Sequence, residues 1–419
     1  MTFIKTSLLN GIAVVVKMIS LLVLNKVLAL YVGPSGYAAI GQFQNAIQMI
    51  MALTSGSIGT GVTKYTAEYY ESEEKQHTLW QTASTIAFIS TLIISLLVVL
   101  FNKQLAAWFL KDETYGGVFL CFAVTLLLFV FNILLLAVLN GKKEIGSYIV
   151  ANIAGSIISI LLTGFMVIYY GLYGALIALA INQSFTFFVT FYITSRSSWF
   201  KVRYFIGSID KAVVKNLSKY AAMAITGAIC APICNILVRN YIGENLGWES
   251  AGYWESMVRI SGAYLMVVTT TLGVYFLPKF SELSAYFDIR SEITKSLVIV
   301  LPLLFLMLSV IYIFKNEVVG ILMSKEFLPV TDLFHWYLIG DFIKIVSWFF
   351  AFLMISKSMT KAYIFSEIFS STLFYFLSIY FTDSYGLVGV SIAHFLTYVV
   401  YLIIVFLVFC NMKSSGVFK

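Results

Sequence analysis

The chain has 419 residues, of which 60% are hydrophobic and 11% charged, and its mean hydropathy is +0.92. So little polar surface cannot cover a water-soluble globule, which makes lipid the solvent. In such a chain a net charge of +7 is a topogenic signal and a contact for anionic headgroups, and nucleic-acid binding is excluded.

Apolar stretches longer than the ~20 residues a bilayer core requires recur twelve times: 7–32, 37–63, 79–101, 115–139, 146–169, 173–195, 213–241, 250–277, 293–314, 329–356, 361–382 and 385–410. Each is predicted to be a helix, because lipid offers no water to unpaired backbone groups. Barrel strands would be far shorter and would alternate polar with apolar residues. The first stretch runs past Lys26 without a small-residue cleavage pattern, so it is expected to be a retained span.

The second six stretches echo the first six. YGLYGALIA at 170–178 returns as YGLVGVSIA at 385–393, a shift of 215, at which Lys142 meets Lys357 and Tyr148 meets Tyr363. Gly61-Val62 answers Gly273-Val274 at 212, and Tyr31-Val32-Gly33 answers Tyr241-Ile242-Gly243 at 210. Such steady offsets point to one tandem duplication. Six helices per half is an even number, so the halves run parallel. The expected fold is all-α and polytopic: twelve transmembrane helices in two parallel, pseudo-symmetric six-helix bundles, 1–205 and 206–419. The basic segment RSSWFKVRYFIGSIDKA at 196–212 joins them.

Placing both termini in the cytoplasm puts eighteen of the 27 Lys and Arg residues in inner segments, from Lys5 to Lys419, and leaves only Lys103, Lys111, Lys315 and Lys325 outside. That bias sets the expected orientation.

No metal or catalytic constellation is read from the chain. Cys230 and Cys234 flank Pro232 as CAPIC, at a spacing that holds a metal only where further ligands converge; small packing residues beside a proline are the plainer reading. His77 lies at an interface, while His335 and His394 read as packing or polar-contact residues. The informative residues are ionisable ones inside spans: Lys17, Lys26, Arg239, Arg259 and Lys344 against Glu255, Asp341 and Glu367. Each costs ~2.5 to 3.5 kcal/mol at mid-helix, so such residues turn toward water, partners or substrate.

Several have alternative readings. Lys26 and Arg239 lie near span ends and can snorkel to headgroups. Glu255 and Arg259 at i, i+4, and Asp341 and Lys344 at i, i+3, can neutralise one another or meet substrate. Lys17 has no acidic residue one turn away, so it must find a partner beyond its own helix. Asn10 shares its face, and Asn25 meets Asn235 at the shift of 210, giving the first helix of each half a polar face. Converging cations would suit a phosphate or diphosphate. The stretch SGSIGTG at 55–61 supplies either a bend or close helix packing.

GPSG at 33–36, Phe43, GTGVTKYTAEY at 59–69, FLPKFSEL at 276–283, EITKSLVIVLP at 292–302 and DLFHWYLIGDFIKI at 332–345 carry a resemblance that runs nearly end to end. The chain resembles bacterial flippases of undecaprenyl-diphosphate-linked oligosaccharides, the O-antigen and common-antigen flippases of the multidrug/oligosaccharidyl-lipid/polysaccharide superfamily. The resemblance implies passage of a lipid-linked repeat unit from the cytoplasmic to the periplasmic leaflet of the bacterial inner membrane, with no covalent step and no cofactor. It implies substrate contacts at Lys17, Lys26, Asn25, Arg239, Asn235 and Arg259, gradient coupling or gating at Asp341, Lys344 and Glu367, and further candidates in Lys64 and Glu255. A complex with a polymerase and a chain-length regulator is left open. A drug or organic-cation antiporter of the same superfamily would want an acidic cavity. An enzyme acting on lipid-linked sugars would want catalytic clusters in large outer loops, and neither pattern is present.

Overall fold

The structure, a computed structural model, describes residues 3–56, 58–283, 285–357 and 359–412, with side chains described except at 3–14, 216, 219–224, 267, 271, 274, 277 and 278. Lys5, Asn10, Val274 and Lys419, named above, therefore lie outside the described side chains. All regular structure among the described residues is helical, as a chain denied water for its backbone groups requires.

In chain order the helices are α1 (Phe3–Ser55), α2 (Ile58–Glu68), α3 (Glu73–Leu100), α4 (Asn102–Leu110), α5 (Gly116–Gly141), α6 (Ile145–Ser195), α7 (Lys211–Leu246), α8 (Trp248–Thr271), α9 (Leu277–Glu282), α10 (Tyr286–Ile313), α11 (Lys315–Leu322), α12 (Phe334–Ser356), α13 (Thr360–Tyr385) and α14 (Val388–Met412). Nine described helices are long and apolar enough to span a bilayer. Two of them, α1 and α6, are double-length and break at Gly33 and Gly171. The twelfth span is α8, less apolar because it carries Glu249, Glu255 and Arg259.

The repeat motif has a stereochemical explanation. Gly171 (φ 56, ψ −137) and Gly386 (φ 60, ψ −146) occupy the same backbone region, one that L side chains avoid. Three residues on, a Cβ at Gly174 or Gly389 would collide with the carbonyl oxygen of Met166 or Phe381 respectively. Both the turn and the close approach recur 215 residues apart, which is why YGLxG survives in each half.

Another match needs correction. Gly33 (φ 72, ψ 177) finds its conformational partner in Gly247 (φ 89, ψ 152), at a shift of 214, whereas Gly243 lies inside α7. A slip of four residues is close to one helical turn, so the hydrophobic pattern fits either register and conceals the error. At the corrected shift the counterpart of Asn25 is Arg239, not Asn235.

Span limits also differ in places. The stretch 37–63 is interrupted after Gly56, with α2 beginning at Ile58. The stretch 250–277 passes into a wider π turn, Leu272–Phe276, before α9. The second span of each half is thus interrupted at a similar point. After α3 and α10 come the short helices α4 and α11, 213 residues apart, where only outer loops were expected.

Two compact units form: Met1–Val32 with Ala39–Pro232, and Gly33–Ala38 with Ile233–Lys419. The first is centred on Phe43, whose ring meets Phe119 at 5.3 Å and Phe122 at 6.4 Å. Thr63 Oγ1 donates to the Ala137 carbonyl at 3.2 Å, tying α2 to α5. The inter-repeat segment is strapped onto this unit: Ser84 Oγ donates to the Phe205 carbonyl, Thr85 Oγ1 to that of Gly207 at 3.1 Å, and the Asp210 N–H to Thr82 Oγ1 at 3.0 Å. The Phe205 ring stacks on Trp80, and His77 stacks on Tyr204. In the second unit Gly252 receives the backbone of Pro34 so closely that no side chain fits, and Tyr37 packs edge-on against Phe327 at 5.3 Å. Because lipid tails are as apolar as leucine, such contacts hold helices together by packing and hydrogen bonding more than by hydrophobic burial.

Candidate functional site

Among the described residues, the greatest concentration of buried charge lies in the second unit, along α8. Glu255, 4% exposed, receives two guanidiniums: Arg259 Nε donates to Oε1 at 2.7 Å, and Arg239 Nη2, from α7, donates to Oε2. Arg239 is 1% exposed, so it does not snorkel. Its guanidinium lies 5.3 Å from the Trp254 ring centroid, and that of Arg259 lies 4.8 Å from Tyr37. Trp254 and Glu255 are neighbours on α8, and Arg259 follows one turn later, so one helix holds the carboxylate, one ring and one cation. Two cations thus share one carboxylate. The i, i+4 pairing read from the sequence is present, but it is half of a larger group.

Two residues beyond Arg259 a second network starts. Ser261 Oγ donates to Asp341 Oδ2 at 2.6 Å, and the Tyr264 hydroxyl donates to the same oxygen. His394 Nε2 lies 3.0 Å from Asp341 Oδ1; against an ionised carboxylate, which only accepts, this nitrogen carries the proton. Lys344 Nζ stands 3.9 Å from the same oxygen, and its ammonium also faces the rings of Trp348 at 5.1 Å and Tyr398 at 5.2 Å. Tyr337 stacks on the His394 ring at 4.0 Å. Asp341 is fully buried and fully satisfied, the condition under which a buried polar network is stable. On the adjoining helices, half-buried Glu367 of α13 accepts from the Tyr401 hydroxyl of α14 at 2.9 Å.

Sequence reasoning missed the connections of His394, Ser261, Tyr264 and Tyr37. The sequence gives His394 only as a packing or polar-contact residue. Its partner is 53 positions away, and Ser261 lies 80 from Asp341, separations for which no periodic signal exists.

The remaining candidates are dispersed. In the first unit Lys17 is exposed, Lys26 is half-buried and Asn25 is buried at 2%. Lys64 lines a mainly apolar cavity beside α5. In the second unit Asn235 is half-buried on α7. The repeated pair Lys142 and Lys357 has structural duties. Lys142 Nζ donates to Gln76 Oε1 at 3.1 Å among the rings of Tyr70, Trp80 and Trp199, and Lys357 Nζ donates to the Leu283 carbonyl. Burial pushes the Lys357 ammonium below its ordinary pKa. In CAPIC, α7 runs on through Pro232, and Cys234 Sγ donates to the Ser371 carbonyl at 3.1 Å.

Residues 3–284 match the family model described as polysaccharide biosynthesis protein. Over 403 residues the chain is 28% identical to the lipid III flippases of Escherichia coli K12 and Shigella flexneri, covering 96% of this chain and 96% of each relative. Among solved structures it is similar to the inward-facing conformation of a multidrug resistance MATE family transporter of the MOP superfamily. There the TM-score is 0.75 and the identity 14%, over 95% of this chain and 96% of that one. It is also similar to the lipid II flippase MurJ in an inward closed conformation, with TM-score 0.71 and 13% identity over 97% of this chain and 87% of that one. At such identities the two structures establish the transporter fold.

Proposed function

Because this chain belongs to the polysaccharide biosynthesis protein family, we propose that it is a flippase of undecaprenyl-diphosphate-linked oligosaccharide repeat units. It carries them from the cytoplasmic to the periplasmic leaflet of a bacterial inner membrane, with both termini cytoplasmic. The observation that carries this reading is the match to lipid III flippases over 96% of both chains. The site chemistry supports the reading, since the guanidiniums of Arg239 and Arg259 suit an anionic diphosphate and disfavour the cationic cargo of a drug antiporter.

The roles divide as follows. Glu255 aligns Arg259 by taking its Nε–H, and Arg239 fixes Glu255 from the other side. Arg259 and Asn235 in the second unit, and Lys17, Lys26 and Asn25 in the first, are each candidate contacts for the headgroup. The lipid tail stays in the bilayer, and the headgroup is exposed in turn to each leaflet by alternating access. Asp341 and Glu367 are the coupling groups. Asp341 is held by His394, Ser261, Tyr264 and Lys344, and exchange of a proton or cation at this carboxylate would reset the network. No bond is made or broken, so the protein is a transporter and not an enzyme. A polymerase and a chain-length regulator are the partners that would consume the delivered unit.

Complementation of a strain lacking its lipid III or O-antigen flippase tests this. Wild type should restore the surface polymer. Arg259→Ala at matched expression should lower flipping ~10-fold or more, the value of a charge-assisted hydrogen bond. Asp341→Asn should retain expression but lose the dependence of transport on the ion gradient. Full flipping by Arg259→Ala would remove the phosphate role, and unchanged gradient dependence in both Asp341→Asn and Glu367→Gln would remove the coupling role.

A further inference from the structure

A cavity in the first unit, mainly apolar but with polar groups on its walls, remains unaccounted for. It has a volume of about 510 Å3 and lies between α2, α5 and the start of α6, within the ~300–1,000 Å3 range of small-molecule sites. Thr60 and Lys64 stand one turn apart on the α2 wall, Asn140 ends the α5 wall, and Tyr148 closes the α6 side. Thr63 is committed to the frame, donating to the carbonyls of Gly59 at 2.8 Å and Ala137 at 3.2 Å. Thr60 and Lys64 are exposed and Asn140 and Tyr148 half-buried, so the polar groups are accessible. No carboxylate lines the space.

One ammonium, two hydroxyls and an amide over an apolar floor form a set that recognises an anion joined to a hydroxyl-rich ring. Tyr148 returns as Tyr363 at the shift of 215, and the Lys64 ammonium lies 5.2 Å from the Tyr65 ring centroid.

We propose that this cavity is a sugar-phosphate subsite, where Lys64 and Thr60 take a phosphate and Tyr148 and Asn140 take hydroxyls of the attached sugar. The proposal rests on the flippase reading for the identity of the ligand's source, a lipid-linked sugar. A free sugar nucleotide presents the same chemistry.

The test uses the full chain in detergent micelles, with a short-chain prenyl-diphosphate disaccharide as probe and binding read by calorimetry. Lys64→Gln should weaken binding ~10-fold or more, Lys64→Arg should retain it, and Tyr148→Phe should weaken the disaccharide probe more than inorganic diphosphate. Unchanged binding in Lys64→Gln and Tyr148→Phe overturns the subsite, as does equal loss in Lys64→Gln and Lys64→Arg with a lowered unfolding temperature. Equal competition by a nucleotide diphosphate sugar overturns the lipid-linked assignment, and an absence of probe binding by wild type overturns the site. Complementation by wild type is scored separately. Restored polymer alongside a failed cavity test would leave the flippase reading intact, whereas failure to complement would count against that reading itself.

Discussion

The carboxylate of Glu255 is the group that Arg239 and Arg259 share. Removing it takes the shared carboxylate from two guanidiniums, and breaking one partner of a buried pair costs ~3–5 kcal/mol. Glu255→Gln is therefore expected to lower the unfolding midpoint of the purified protein markedly, while adding Arg239→Met should recover most of the loss by removing one of the stranded cations. An unaltered midpoint in the single variant would show the group to be solvated or dispensable. Half of this arrangement was legible, because Glu255 and Arg259 are one turn apart and a helix brings such positions together. Arg239 was not, because it reaches Glu255 across the break at Gly247, and nothing in the spacing of residues on two helices states how those helices cross. The same holds for Asp341. Lys344 could be assigned to it from i, i+3 spacing, but His394, Ser261 and Tyr264 come from other helices.

Helix breaks were partly readable because they depend on local chemistry. Gly171 and Gly386 hold positive φ, and Gly174 and Gly389 admit a carbonyl where a methyl would collide. Gly171→Ala should cost ~1–3 kcal/mol through backbone strain, and Gly174→Ala should cost more because the Met166 carbonyl must move. Gly164 provides the control: it sits within α6 with no atom close to a built Cβ, and its replacement by alanine should be neutral or stabilising by up to ~1 kcal/mol. Thermal unfolding and folded yield in detergent report all three; equal behaviour would refute the stereochemical account of the repeat motif. The stretch SGSIGTG illustrates both uses of small residues. The helix ends around Gly56, while Gly61 faces Leu217 so closely that a Cβ would lie 2.6 Å from Cδ2. The interruption at Leu272–Phe276 carries no comparable signature, and the sequence reads through it as one span.

For the whole molecule the open topological prediction is orientation. Cysteines introduced at Lys111 and Lys315 should react with an impermeant maleimide in intact cells, and those at Lys143 and Lys201 only after the inner membrane is opened. The reverse pattern would invert the assignment of leaflets and the direction of transport. The sequence by itself determined the lipid solvent, the helical class, the twelve spans and the duplication, because each follows from composition, from the length of an apolar run or from a recurring string. The family resemblance was also legible in strings such as GTGVTKYTAEY. The tertiary structure alone decided which charges meet, that Arg239 completes a shared ion pair, that Asn25 corresponds to Arg239 at a shift of 214, and that Lys64 opens on a cavity while Lys142 is enclosed by rings. Those outcomes depend on the crossing and rotation of whole helices, and many rotations satisfy the same apolar pattern until side chains from distant positions are brought into contact.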